Sequence, residues 1–510
     1  MYTKYGPAEH PSLSTESNTP TAISSLVSLA ETPTNAEKGH PTDSFAHYEI
    51  PILPVGVKSA LSSPVGQITK FRVWYNPYRQ LFTLILIANS VCVLLASLGH
   101  FPHADMNASA FALGNILTAV SVRNELFLRG LFCLCVTLFQ KWTPLWFRIA
   151  LTAFLQHLGG IHSGAATSSL IWLIYALIRS LQSPNTTHVV VLAMSVTVTF
   201  FIAIVILSAL PFIRERHHNV FEHHHRFAGW GGLVFTWVFV VLGCMQVPST
   251  RADGGNVEWK WDASALVRAQ QFWFALFITI LIFVPWFTVR KVQVEITTPS
   301  PRVALIKFQC GIQQGLFGRI SRDPLREYHG FGIISEGIES GCHYMVVGVQ
   351  GDWTRGIVSD PPTHLYTREM KFSGLPYLSS LYKKGIMICT GSGIGAVLST
   401  CIQLDTWFLI WIGAGLEETF GRELMGIVER QLIHDEAGRC ILFDTKKEGR
   451  RPDTVQMLKD VYAGFEAEDR LYDSSSSLVI IITSNPAGNA ELMQACRENG
   501  MHSFGPLWDS

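Results

Sequence analysis

Three groups of residues in this sequence have the types and spacing to do chemistry. The first is the turn Thr390-Gly391-Ser392-Gly393-Ile394-Gly395, set between an apolar run, Gly385 to Cys389, and a helix-like segment, Gly393 to Gln403. Glycines at a strand-to-helix turn let backbone amides approach a pyrophosphate, and the helix N-terminus adds oriented N–H groups and a positive dipole. A pyrophosphate-bearing nucleotide is the ligand this turn implies. The second group is histidine. His157 and His162 lie in one apolar stretch, and His217, His218, His223, His224 and His225 crowd the start of another. Neutral imidazole is a common haem ligand, and a b-type haem between two helices needs one His from each at similar depth. His157 or His162 with His225 is the candidate set for a single haem on the inner side. Two stacked haems need a second His deeper in the later helix, and Gly229 to Met245 contains none. The alternative is that the cluster decorates an interfacial loop, binding lipid phosphate or pairing with Glu222, while His157 and His162 bond inside the bundle. The third group is the 10 cysteines, which show no CxxC pair and include Cys92, Cys133 and Cys135 inside apolar runs. Reduced thiols fit this placement.

The elements that must position these residues divide the chain in two. Of its 510 residues 48% are hydrophobic and only 15% charged, and the excess is local. A helix crosses the hydrocarbon core with roughly 20 apolar residues. Leu81 to Leu98, Leu126 to Phe139, Phe147 to Ile178, Val189 to Ile213, Phe227 to Met245 and Phe272 to Val289 meet or approach that length, which predicts about six transmembrane helices within residues 67–291. The second is short unless it begins near Ala112, which brings Arg123, Glu125 and Arg129 to membrane depth, where they must face the bundle or pair. Lys70, Arg72 and Arg79, then Lys141 and Arg148, then Arg214, Arg216 and Arg226, then Arg290 and Lys291 mark alternate loops as cytosolic, so both termini are expected in the cytosol. The expected location is a multi-pass position in the plasma membrane or an endomembrane, with the lipid bilayer as a partner. Residues 1–66, rich in Ser, Thr and Pro, read as a disordered cytosolic tail without a cleavable signal. With 39 Lys+Arg against 39 Asp+Glu there is no net charge to attract nucleic acid.

After Lys291 the texture changes. Short β-branched runs, Val292 to Ile296, Val303 to Phe308, Gly330 to Ile334 and His343 to Val349, predict a small antiparallel barrel over residues 292–380. From Lys384 strands and helices alternate: Trp407 to Ile412 and Leu478 to Ile482 read as strands, Glu418 to Gln431 as a helix. Such alternation implies a parallel sheet with helices on both faces over residues 381–510.

Four motifs then carry a resemblance. His329-Gly330-Phe331-Gly332-Ile333-Ile334-Ser335, followed by Gly351-Asp352-Trp353-Thr354, resembles the flavin-binding stretch of ferric reductases and NADPH oxidases. The glycine turn resembles that family's nicotinamide-nucleotide loop, and Thr483 to Gly488 stands where the family usually has Cys-Gly-Pro. More narrowly, Asn219-Val220-Phe221-Glu222, His225-Arg226-Phe227, Gly229-Trp230 and the terminal Phe504-Gly505-Pro506-Leu507-Trp508 resemble fungal integral membrane flavoproteins of the TmpA type. Those are similar to the membrane and reductase-like C-terminal regions of non-ribosomal-peptide-synthetase-like proteins. The resemblance implies a ferredoxin-reductase-like module, an FAD barrel plus an NAD(P) domain, passing electrons from cytosolic NAD(P)H through FAD to an unidentified acceptor or partner protein. It associates the chain with fungal development or secondary metabolism. It assigns His329, Phe331, Ser335 and Thr354 to the flavin, with Thr354 also beside the nicotinamide; Gly391, Gly393 and Gly395 to the NAD(P) phosphates; and Trp508 to covering the isoalloxazine. Against the family pattern, Gly330 replaces Pro, Gly332 replaces Thr or Ser, Gly348 replaces Arg, Gly413 and Ala414 replace an Arg found in many relatives, and Asn485 replaces Cys. These departures support the alternative of a membrane signalling or scaffold protein whose degenerate reductase module senses redox state or nucleotide.

Overall fold

The computed structural model describes residues 48–53, 71, 74–140, 142–182, 187–249, 258–434, 438–472 and 478–506. Among the described residues before Val289 the longer helices are α1 (Pro77–Ser97), α2 (Ala108–Ser121), α3 (Glu125–Phe139), α4 (Leu145–Gln156), α5 (Leu158–Gln182), α6 (Val189–Ser208), α7 (His218–Met245) and α8 (Gln270–Phe287), with a short antiparallel pair, Gln246–Ser249 and Glu258–Trp261, between the last two. Asn76 caps α1 by accepting from Arg79 N, and Pro77 occupies the first helical position, where its missing N–H costs nothing. Inside the bundle Trp172 is fully buried, and its Nε1 donates to Asn89 Oδ1 (2.9 Å), which also accepts from Asn115 Nδ2 (2.8 Å). Outward, the helices expose large apolar side chains such as Leu84, Phe200, Phe227 and Val234.

Among the described residues five helices, where about six were expected, are long and apolar enough to cross a membrane: α1, α5, α6, α7 and α8. The sixth expected span, Leu126 to Phe139, is α3, and its 15 residues do not reach across a bilayer. It starts where it does because Asn124 caps it, accepting from Leu126 N and Phe127 N, while Asn124 Nδ2 donates to Leu281 O of α8 (2.7 Å). The expected segment Phe147 to Ile178 is likewise divided into α4 and α5 at His157. Phe132, Cys135 and Val136 of α3 and Leu155 of α4 join the core of the C-terminal half instead of a lipid-facing surface.

The antiparallel half contains β1 (Val289–Gln293), β2 (Glu295–Ser300), β3 (Val303–Gln309), β4 (Leu316–Ser321), β5 (His329–Gly332), β6 (Cys342–Gly348), the helix α9 (Asp352–Ser359), β7 (His364–Arg368) and β8 (Phe372–Ser373). One sheet runs β8-β4-β7-β1 with β5 also on β4, and the other runs β2-β3-β6. Where one closed barrel was expected there are two sheets around one core, to which Ile306, Phe308, Ile320, Met345 and Leu365 all contribute. A bridge between Ile334 and Tyr344 ties them together. The expected strand Val292 to Ile296 breaks at Val294, whose N–H donates to Thr363 O (3.0 Å) outside the ladder.

The parallel half comprises β9 (Lys384–Thr390), α10 (Ile394–Gln403), β10 (Trp407–Gly413), α11 (Leu416–Val428), β11 (Cys440–Asp444), α12 (Thr454–Tyr472), β12 (Leu478–Thr483), α13 (Pro486–Glu498) and β13 (Ser503–Phe504), with sheet order β11-β10-β9-β12-β13. Alternate residues point to opposite faces of each strand, so Met387, Leu409 and Val479 meet α10 and α11 while Ile386, Phe408 and Ile480 meet α12. Order reverses between β9 and β12, and a crevice at such a switch point is where open α/β sheets bind ligands. One part of the segment expected to be a disordered tail is ordered. Tyr48 and Ile50 pack on the α12 face, Tyr48 Oη donates to Asp460 Oδ2 (2.7 Å), and Ile52 bridges Pro452. Their apolar side chains have a surface to cover, which composition alone does not reveal. Residues 1–47 and 54–66 of that expected tail lie outside the described residues.

Candidate functional site

The motif His329 to Ser335 forms β5 and its continuation, and Gly351 to Thr354 opens α9. Folding brings three aromatic rings of these motifs together. His329 stacks on Trp353 with ring centres 4.3 Å apart, and Phe331 lies parallel to the same indole at 6.0 Å. The Nε2 atom of His329 is buried without a protein partner. Burial pushes its imidazole below the ordinary value; Glu222 and Glu327 oppose this, whereas Arg319 and Arg226 add to it. Glu222 and Arg226 belong to the first turns of α7, the helix that also carries His225, so charges of that helix act on the imidazole. Trp353 is the residue the motif comparison passed over. Its signal was present, an aromatic between the glycine and the hydroxyl of the second motif.

Two other assigned side chains are committed to structure. The Thr354 hydroxyl accepts from Gln350 N and Gly351 N and donates to Gly351 O, all at 3.0 Å, so it closes the first turn of α9 back onto the glycine that caps it. Ser335 is buried; its hydroxyl accepts from Ile312 N (3.0 Å) and donates to Gly337 O (3.1 Å). Its backbone exchanges bonds with Ser399 Oγ of α10, so Ser335 joins the two β-halves.

The glycine turn follows β9 as expected and opens α10 at the switch point. Gly391 has φ +54°, a left-handed conformation that only glycine adopts cheaply, and open space lies around the position of its missing side chain. Gly393 backs onto Thr483 O, where a Cβ would stand at 2.6 Å, and Gly395 packs on Val346 of β6. Across the crevice Thr390 Oγ1 and Ser484 Oγ share a hydrogen bond of 2.9 Å. Asn485, in the place of the family Cys, caps α13 by accepting from Gly488 N (2.9 Å). Trp508 lies outside the described residues; the last described ones, Gly505 and Pro506, accept from Gln156 and Asn489 respectively.

Two of the glycines named above stand where a side chain would clash. A Cβ on Gly332 would collide with the Gly395 carbonyl and stand 2.6 Å from Ala396 Cα, both backbone. A Cβ on Gly348 would stand 2.9 Å from Ser392 Oγ. Both glycines let the antiparallel half press directly on the nucleotide-type turn.

Of the candidate haem ligands, His162 and His225 are brought together and His157 is not placed with them. The His162 and His225 ring centres are 6.5 Å apart. His162 Nδ1 donates to Ala119 O (2.9 Å) and His225 Nδ1 to Val205 O (3.3 Å), which leaves both Nε2 atoms as the lone-pair nitrogens. These two side chains would be the ones to hold a haem, which would supply one-electron transfer there. His157 caps α4 and donates from Nδ1 to Ala153 O (2.6 Å). Among the described residues no group of three or more His, Cys, Asp or Glu is arranged to hold a metal ion.

Comparison with known proteins finds similarity to three of them and to one family model. Residues 375–510 match the family model described as adenylate-forming reductase 03009, C-terminal domain. The chain is 28% identical over 448 residues to adenylate-forming reductase 06235 of Coprinopsis cinerea, covering 86% of this chain and 40% of that protein. It is also 28% identical over 445 residues to adenylate-forming reductase 03009 of the same fungus, with the same coverage of 86% and 40%. The chain therefore spans less than half the length of the curated relatives it matches. Among solved structures, a ferredoxin NADP+ reductase from Neisseria gonorrhoeae with bound FAD and NADP aligns over 43% of this chain and 99% of its own, at 16% identity and a TM-score of 0.32.

Proposed function

We propose that this chain is a membrane-embedded flavoprotein oxidoreductase that takes electrons from NAD(P)H in the cytosol and delivers them toward its helical half. The observation that carries the proposal is the stack of His329, Trp353 and Phe331, with an unpartnered buried nitrogen on His329. FAD, when bound, supplies the conversion between two-electron hydride chemistry and one-electron transfer. The protein's own part is positional. Trp353 and Phe331 offer flat apolar surfaces, His329 offers Nε2 to a donor, and the N-terminus of α9 offers amides to a phosphate. Gly391 keeps the backbone of the nucleotide turn open at the switch point. The five long apolar helices and their outward Leu, Phe and Val side chains support a bilayer position.

Detergent-purified full-length protein should carry one flavin per chain, and its absorbance near 450 nm should bleach on adding NADH or NADPH (order-of-magnitude wavelength, roughly that of oxidised flavins). A colourless preparation that takes up no FAD refutes the proposal. The spacing of His162 and His225 favours one haem as the electron acceptor within the membrane, read out in the same spectrum as a Soret band that His225→Ala abolishes. A second function is favoured by the contacts of Gly332 and Gly348: a module closed against its own nucleotide turn can bind flavin and nucleotide as a sensor without turnover. Flavin that binds but does not bleach with either nucleotide identifies that case.

A further inference from the structure

Where α3 meets the antiparallel sheets there is a cavity of about 610 Å³ whose walls include Arg129, Lys371, Phe308, Leu316 and Ile338. That volume lies within the usual range for small-molecule sites. The cavity is distinct from the stack of His329, Phe331 and Trp353 and adjoins only the end of the first motif, where Ile312 of the wall donates from N to Ser335 Oγ (3.0 Å). It lies at the Gln309 and His343 end of β3 and β6, whereas α9 and Trp353 follow the Gly348 end, and a seven-residue strand at about 3.3 Å per residue puts roughly 20 Å between them.

Its polar wall is unbalanced. Lys371 is 9% exposed, and its ammonium donates to Thr367 Oγ1 and Arg368 O, both at 2.8 Å and both neutral. The nearby carboxylates are already engaged. Glu125 pairs with Arg319 and Arg368, and Glu369 pairs with Arg290. Arg129 donates from Nη1 to Lys371 O (2.7 Å) and has no carboxylate partner among the described residues. A buried ammonium without a counter-charge is costly, and proteins compensate such groups with an anion. Burial pulls Lys371 down to about 8, which still leaves most of it protonated at neutral pH. Apolar side chains share the lining with the engaged Arg290 and Glu369: Phe308 and Leu316 are buried and Ile338 is exposed. Cys310, also on the wall, has φ +113°, the single positive value among the described non-glycine residues, and its carbonyl accepts from His343 Nδ1 (2.7 Å). Strain of this kind persists only where the surroundings impose it, and it gathers at ligand sites.

We propose that this cavity binds a small organic anion, a carboxylate on an apolar body, with the carboxylate between Lys371 and Arg129 and the body against Phe308, Leu316 and Ile338. Inorganic phosphate satisfies the charge and leaves the apolar wall bare; a neutral analogue does the reverse. The test is calorimetric titration of the detergent-solubilised full chain with 4-ethylbenzoate, 4-ethylbenzyl alcohol and inorganic phosphate. The expected result is saturable binding of one benzoate, with the alcohol and phosphate each at least about tenfold weaker, the scale of a lost charged hydrogen bond. Lys371→Met should weaken the benzoate by a similar factor while its melting temperature holds or rises, because the variant removes an uncompensated charge. Arg129→Gln carries the same arm should Lys371→Met fail to fold. No saturable benzoate binding overturns the proposal, as does equal binding of the alcohol or of phosphate. So does undiminished binding by the variants, which marks Lys371 as a structural lysine.

Discussion

Trp353 joins two motifs that are more than twenty positions apart in the chain, and its indole is shared by His329 and Phe331. Stacked aromatic pairs contribute about 0.5–1.5 kcal/mol beyond the area they bury, so Trp353→Ala should weaken FAD binding roughly three- to tenfold in a fluorescence titration. An unchanged affinity places the flavin elsewhere. Gly332 tests a different idea. The family hydroxyl cannot be restored there, because the first added carbon meets the backbone of Gly395 and Ala396. Gly332→Ser should destabilise the protein by about 1–3 kcal/mol, the usual cost of overpacking. Gly348→Ala meets only the movable Ser392 hydroxyl and should lower the melting temperature less. Neither cost was legible in the sequence. It showed that the glycines depart from a pattern; the surface they press against is supplied by residues roughly fifty positions later.

The elements that could be read from sequence were those whose own residues decide them. β9, α10 and β10 announce themselves by apolar runs punctuated by glycine. The helix α12 escaped because charged residues such as Lys459, Asp460 and Glu466 interrupt its apolar positions, and only the sheet face against Val455, Leu458 and Val461 fixes which side is buried. Asp444, at the end of β11, also went unread. Its carboxylate accepts from Gly415 N (2.7 Å) and Leu416 N (2.8 Å) at the start of α11 and from Lys446 N (2.9 Å) on its own loop. Burial raises its pKa, and these backbone amides together outweigh burial, so the carboxyl titrates below its ordinary value. A depressed carboxylate contributes stability in full above its unfolded pKa of about 3.9, and that stability is lost as pH falls through the folded value. Asp444→Asn should therefore lower the melting temperature at pH 7 and narrow the gap from wild type below about pH 4. A constant gap across that range shows that the charge is not what α11 uses.

At the scale of the whole molecule, the helical and β-halves are fastened through Glu125. It is 6% exposed and pairs with Arg319 of β4 and Arg368 of β7. Removing one partner of a buried pair commonly costs about 3–5 kcal/mol, and Arg319 remains partly solvated, so Glu125→Gln should cost near the lower end, read as a fall in melting temperature. A loss below about 0.5 kcal/mol shows the contact to be incidental. The general layout, an apolar helical half followed by antiparallel and then parallel strands, was legible from periodicity. The destination of α3 was not, since an apolar stretch of that length suits a bilayer and a protein core alike. The docking of α3 also sets an order of events during synthesis. Arg129 and its acceptor Lys371 are 242 residues apart. At about 5–20 residues per second, on the order of ten to fifty seconds of translation separate them. Throughout that interval Phe132, Cys135 and Val136 have no native surface to cover, and a nascent chain halted before Phe372 exposes them to whatever chaperone or bilayer lies nearest.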